Sequence, residues 1–154
     1  MDNFIGNIDA KADAKGRICV PATFRKILQT AEDARLVLRK DIYKDCLVLY
    51  PVSAWEEELT KLRARLDEYD EEQQDFYIQF VSDSELLEMD SIGRILIPKR
   101  YMQLAGITND VRFIGVNHTI KLWSRIQYEE FIKKNNEVFK TNARKFLSKS
   151  GTHE

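Results

Sequence analysis

Histidine and cysteine are nearly absent, with two of each in 154 residues. So few imidazoles and thiols leave little from which to build a metal cluster or a Cys–His nucleophile pair. Cys19 and Cys46 have no metal-ligand spacing and read as small core residues on strands. His118 falls in an expected turn and His153 in the tail. Proline and glycine are also scarce, three and six residues, so each marks a structural event rather than a flexible tract. No apolar run approaches the ~20 residues that span a bilayer. The opening Met1-Asp2-Asn3-Phe4-Ile5-Gly6 lacks the basic and apolar regions of a secretory leader, which sets the expectation of a cytoplasmic protein. Phosphate-loop and serine-nucleophile motifs are missing, and the acids of Glu68–Asp75 lack the glycine-centred spacing of a calcium loop. These absences argue against an enzyme, a metal, a cofactor and a small-molecule substrate.

What is present is a motif written twice. Asp13-Ala14-Lys15-Gly16-Arg17-Ile18-Cys19-Val20-Pro21 returns 77 residues later as Asp90-Ser91-Ile92-Gly93-Arg94-Ile95-Leu96-Ile97-Pro98. Two copies of one unit therefore account for most of the chain. An Asp-x-x-Gly stretch is the chemistry of a tight turn: the Asp side chain accepts from the turn's backbone, and Gly tolerates positive φ. Apolar residues flank both turns, namely Ile18 and Val20, Leu86, Leu87 and Met89, and Ile95 and Ile97. Each unit thus reads as a hairpin with a bulge at its glycine. Pro21 and Pro98 end the strand and open short helices over Ala22–Leu28 and Lys99–Leu104, the second stopped by Gly106. Turn geometry explains Asp and Gly but not Arg17 and Arg94. Those arginines either pair with Asp13 and Asp90 as solvated ion pairs or are held out for a ligand, and the two readings are compatible.

The net charge of −1 conceals strong segregation. Lys11–Lys44 holds nine Lys/Arg against four Asp/Glu, Ser53–Asp90 holds three against thirteen, and Ser91–Glu154 holds twelve against five. Both basic stretches contain a repeated turn, so local density points to a polyanionic partner where the overall charge does not.

The repeat extends past the motif. Leu36–Leu38 matches Val111–Ile114, and Leu47–Tyr50 matches Ile120–Trp123, so each half reads as hairpin, short helix, two strands and a longer helix. Ser53-Ala54-Trp55-Glu56 and Ser124-Arg125-Ile126-Gln127 both read as capping boxes. The first long helix carries Trp55, Leu59, Leu62, Leu66 and Tyr69 on one face; the second carries Tyr128, Ile132, Phe139, Ala143 and Phe146. Stripes of this kind are core-packing faces. The opposite faces are acidic over Glu56–Asp75 and basic at Lys133, Lys134, Lys140, Arg144 and Lys145. They either meet between subunits or are solvated. The tail Ser148–Glu154 is expected to fray.

A duplicated Asp-x-x-Gly-Arg hairpin followed by proline and a short basic helix resembles the MraZ family of bacterial transcriptional regulators. Phe4-Ile5-Gly6, the Asp13–Arg17 turn with Pro21 and Phe24-Arg25, and Leu47-Leu49-Tyr50-Pro51 with Trp55 resemble that family's first half. Asp90 with Gly93-Arg94, Ile97-Pro98, Ala105-Gly106, Gly115 and Leu122-Trp123 resemble its second. The resemblance implies an α+β fold, a tandem AbrB/MazE-like swapped-hairpin β-barrel with flanking helices and a pseudo-two-fold axis within one chain. Its parts would be a first repeat over 4–53, a helical connector over 54–80, a second repeat over 81–124 and a C-terminal helix over 125–148, forming one compact unit.

The resemblance also implies a homo-oligomeric ring that binds double-stranded promoter DNA at short direct repeats, on the nucleoid, mainly repressing its own division and cell-wall operon. Family DNA-binding arginines map onto Arg17 and Arg94. Lys15, Arg25, Lys99 and Arg100 are then candidate phosphate contacts, with Asp13, Gly16, Asp90 and Gly93 holding the turns and orienting the arginines. Two departures make the second copy less basic: Ile92 stands for Lys15 and Met102 for Arg25. Two other readings stay open, an AbrB-like regulator with a different operator and a structural ring that binds proteins through its charged helices.

Overall fold

Each half of the chain lays down its elements in the same order. A computed structural model describes residues 3–148; the expectations for His153 and most of the tail lie outside them. The first half runs β1 (Asn7–Lys11), β2 (Arg17–Cys19), α1 (Ala22–Gln29), β3 (Leu36–Lys40), β4 (Leu47–Pro51) and α2 (Val52–Arg65). An extra helix, α3 (Glu71–Ser82), leads into the second half: β5 (Ser84–Leu87), β6 (Arg94–Leu96), α4 (Lys99–Leu104), β7 (Asp110–Val116), β8 (Thr119–Ser124) and α5 (Arg125–Leu147).

Strands from the two halves interleave. Six form an antiparallel sheet in the order β1-β7-β8-β4-β3-β5, and β2 and β6 form a separate two-stranded ribbon. Exchanging the halves turns the sheet order into its own reverse, so a pseudo-two-fold axis passes between β4 and β8 and between β2 and β6. The expected hairpins survive only at their tips. Asp13 N–H donates to the Arg17 carbonyl (3.0 Å) and Asp90 N–H to that of Arg94 (2.8 Å), after which the arms part. β1 leaves for β7 and β5 leaves for β3. A hairpin with three-residue arms is marginal alone. Crossing over lets Ile18 and Ile95 face each other inside the core.

Strand alternation then sorts the sheet into two faces. Leu36, Leu38, Leu47, Leu49, Val111, Phe113, Ile120 and Leu122 point toward the main core, closed by Phe24 and Leu28 of α1, Tyr101 and Met102 of α4, and Ile18 and Ile95 of the ribbon. Burying one such large apolar side chain contributes roughly 1.5–3 kcal/mol. The other face carries Val37, Val48 and Tyr50 under Val52 and Trp55 of α2, and Trp123 under Tyr128 and Phe131 of α5. The ribbon and the helices α2 and α5 thus lie on opposite sides of the sheet.

The helices correct four expectations. The first long helix breaks at Leu66, which is extended (φ −105°, ψ 148°), and Asp70 caps a new helix by accepting from Gln73 N–H at 3.1 Å. Gln73 Oε1 in turn accepts from Asp67 N–H at 2.9 Å. Ser53 caps nothing: Pro51 occupies the N-cap with no side-chain bond, so α2 starts before it, whereas Ser124 does cap α5. Neither apolar stripe is core throughout. Tyr69 lies in the loop, 91% exposed, and α5 has no buried residue. α3 buries Phe80, stacked at 5.8 Å on Trp55 with the Arg39 guanidinium 4.0 Å from its centroid, and its Tyr77 hydroxyl accepts from Arg63 of α2 at 3.3 Å.

The cysteines also differ from expectation. Cys46 is buried but precedes β4, its thiol pushed up to about 12 by burial. Cys19 is on a strand and exposed, because alternation along β2 turns the residue after Ile18 outward.

Candidate nucleic-acid interface

The two turns are built alike, atom for atom. Asp13 Oδ1 accepts from the backbone N–H of Lys15 and of Arg17, both at 2.9 Å, while Oδ2 accepts from Arg17 Nε at 2.7 Å. Asp90 repeats the pattern, with Ile92 N–H at 3.1 Å, Arg94 N–H at 2.8 Å and Arg94 Nε at 2.7 Å. Gly16 and Gly93 take φ of +90° and +86°, the left-handed region that favours glycine. Each glycine carbonyl is then taken by the opposite half: Gly16 accepts from Ile97 N–H and Gly93 from Val20 N–H, both at 2.9 Å.

Ribbon register decides where the arginines go. Arg17 lies opposite Leu96 and Cys19 opposite Arg94, with the Ile18–Ile95 pair between. Since Ile18 and Ile95 face the core, Arg17, Cys19, Arg94 and Leu96 share the outward face. Two residues 77 positions apart thereby become diagonal neighbours on one surface, with Cα atoms roughly 7–8 Å apart. Their side chains are 39% and 33% exposed. Only Nε of each guanidinium is held by its aspartate, and among the described residues neither Nη atom has a partner. The ion pair and the free fork coexist.

The same contacts hold the aspartates ionised. Asp13 is lowered from 3.8 to about 2, chiefly by the Arg17 backbone N–H, which together with the Arg17 guanidinium and the Lys15 N–H outweighs desolvation. Asp90 is lowered by the equivalent groups, its neighbour's backbone N–H first. A depressed carboxyl stabilises the fold fully above its unfolded value and loses that effect as pH falls through the folded one. The Lys15 and Arg17 amide resonances should therefore hold steady from neutrality to about pH 4 and titrate with a midpoint near 2; a midpoint at 3.8 would show that the bonds do not form.

Among the other expected contacts, Lys15 and Lys99 are exposed with no ion pair among the described residues. Arg25 and Arg100 are engaged. Arg25 lies across Gly93 of the other half and donates from Nη1 to the Val20 carbonyl at 2.8 Å. Arg100 pairs with Asp83 at 3.1 Å and donates to the Tyr101 hydroxyl at 2.8 Å. Two apolar groups are exposed at this surface, Ile92 at the second tip, where the sequence already set it against Lys15, and Leu96 on the ribbon, which sequence reasoning missed. The alternation of Ile95 with its neighbours carried the signal for Leu96.

The sequence profile of the family described as "MraZ protein, putative antitoxin-like" matches residues 4–77 and again 80–149. The chain belongs to the MraZ family. Among similar MraZ proteins, the transcriptional regulator MraZ of Bacteroides thetaiotaomicron is 52% identical over 130 residues, 84% of this chain and 83% of its own length. That of Phocaeicola vulgatus is 49% identical over 146 residues, 90% of this chain and 95% of its own. The Bacteroides fragilis protein of the same name is 53% identical over 130 residues, 84% and 82% of the two chains. Among the described residues of this MraZ-family member, no helix is long and apolar enough to cross a membrane, and no His/Cys/Asp/Glu group could hold a metal ion.

Proposed function

We propose that the chain is a sequence-specific DNA-binding repressor acting on its own division and cell-wall operon through short direct repeats. The name its relatives bear, transcriptional regulator, supports a regulator rather than an enzyme. One observation carries the DNA reading: two guanidinium groups from distant positions share the outward face of one ribbon, each with its fork free. The B-DNA major groove, about 12 Å wide, admits a two-stranded ribbon. Arg17 reaches guanine O6 and N7 through its Nη atoms, and Arg94 is a second base reader or a phosphate clamp. Lys15 and Lys99 contact phosphates, joined by the guanidinium N–H groups that Arg25 and Arg100 have left. Asp13, Gly16, Asp90 and Gly93 keep the arginines aimed.

The fold in this reading is a tandem swapped-hairpin barrel, supported by the β1–β7, β3–β5 and β2–β6 pairings between halves. Its units are the repeats 4–53 and 81–124, the connector 54–80 and the terminal helix 125–148. Copies assemble into a ring in the cytoplasm, on the nucleoid, so that several modules engage successive repeats and effective concentration supplies much of the affinity.

Selecting bound fragments from the source genome tests the proposal: they should contain regularly spaced direct repeats upstream of that operon. Fragments from elsewhere would indicate another operator. A flat response to salt and sequence would indicate a protein-binding scaffold and overturn the DNA reading. Lys15→Ala should weaken binding to all sequences alike and lower the slope of log affinity against log salt by about one unit, measured by fluorescence anisotropy from low to physiological salt.

A further inference from the structure

Each turn tip is completed by a residue from the other half of the chain. Because β2 and β6 run antiparallel, Leu96 lies opposite Arg17 and Cys19 opposite Arg94, with facing Cβ atoms about 4.5–5.5 Å apart. Ile97 N–H donates to the Gly16 carbonyl, which fastens this end of β6 to the first tip. One tip therefore presents Lys15, Arg17 and Leu96, and the other Ile92, Arg94 and Cys19. Positions 19 and 96 correspond in the repeat, so the face breaks its own symmetry there, with a thiol at one place and a leucine at the other.

Leu96 is 54% exposed. A single exposed leucine is ordinary on a protein surface; its position beside Arg17 is what matters. Asp13 flanks Arg17 on the opposite side, where its Oδ2 accepts from Arg17 Nε at 2.7 Å. Across this end of the ribbon stand a carboxylate, a guanidinium with its fork free, and an isobutyl group. The major groove offers a matching pair: guanine O6 and N7 for the fork, and the C5 methyl of thymine as its apolar group. Successive bases on a strand are about 3.4 Å apart, so a side chain one ribbon width from Arg17 falls over a neighbouring base pair.

We propose that Leu96 packs against the C5 methyl of a thymine within one base step of the guanine taken by Arg17. The inference rests on the DNA reading above and deepens it: Arg17 selects a G·C pair, and Leu96 selects a T·A pair beside it. Cys19, at the corresponding place, is shorter, and the Arg94 tip lacks this contact. Specificity at the first tip thus comes from both halves of the chain, the arginine from one and the apolar reader from the other.

Exchanging one dT for dU removes the methyl and leaves the pairing edge unchanged. In fragments made by amplification, thymine carries the only C5 methyl. Operator fragments from the genomic selection, exchanged one dT at a time and titrated by fluorescence anisotropy, test the proposal. For the native protein, one exchange beside a guanine in the repeat should weaken binding about fourfold, the worth of one buried methyl-sized group. Leu96→Ala, its fold checked by circular dichroism, should bind the dT operator about as weakly as the native protein binds the dU one. It should also be indifferent to that exchange, the signature of a direct pair in a double-mutant cycle. Repeats with no T·A pair beside a guanine, a native protein indifferent to every exchange, or a Leu96→Ala variant that keeps the full loss would each overturn the contact and leave DNA binding intact. A native protein with no sequence-dependent affinity would overturn the DNA reading and this contact with it.

Discussion

Arg17→Ala should yield a folded, assembled protein that has lost most of its operator affinity. A bidentate arginine–guanine contact is worth about 1–3 kcal/mol, roughly a 5- to 150-fold loss for each module, compounded where several modules sit on one fragment. The fold should tolerate the change, because Asp13 Oδ1 keeps its bonds to the two backbone N–H groups and only the Oδ2 contact disappears. Arg17→Lys separates charge from geometry. It keeps the cation but not the planar fork, so binding to random DNA should persist while discrimination between operator and random fragments falls. A gel-shift titration reads both. Normal operator binding by folded, oligomeric Arg17→Ala would mean that the ribbon face does not read bases.

Gly16→Ala and Gly93→Ala should both destabilise, but unequally. Both positions need φ near +90°, which costs a residue with a Cβ about 1–3 kcal/mol. At Gly16 the new Cβ would also come within 2.5 Å of the Ile97 carbonyl oxygen, backbone that is fixed because Ile97 N–H donates to Gly16. At Gly93 the obstacle is the Arg25 side chain, which can swing aside at the expense of its bond to the Val20 carbonyl. Gly16→Ala should therefore cost about 3–5 kcal/mol and Gly93→Ala about 1–3 kcal/mol, measured as denaturant midpoints at constant m-value. Equal losses would show that backbone strain alone sets the cost.

Much of this fold was legible because its signals are local. Asp13 and Asp90, the glycines after them and the prolines that open α1 and α4 each act within a few residues, and the structure has all of them where the motif puts them. Strand pairing was not legible in the same way. Alternation says that Ile18 faces inward, but not that it meets Ile95 rather than its own hairpin partner. The break at Leu66 was missed because an apolar period of three and four runs through it; Asp70-x-x-Gln73, a capping pattern directly after that run, was the available warning. The exposure of Phe139 and Phe146 could not be read from periodicity either, which gives the direction of a stripe and not what lies against it. At the candidate site, the turn-holding role of Asp13 and Asp90 followed from turn chemistry, whereas the engagement of Arg25 with Gly93 and of Arg100 with Asp83 depends on contacts between distant segments.

The tips of the two turns differ in one further respect, Lys15 on one and exposed Ile92 on the other. In a dimer of identical chains, any mutation at a tip appears twice, and such a protein is held to palindromic targets. Fusing the copies into one polypeptide lifts that restraint. Each tip can drift by itself, and in the proposed DNA-binding role the ribbon face becomes free to acquire a direction along the double helix.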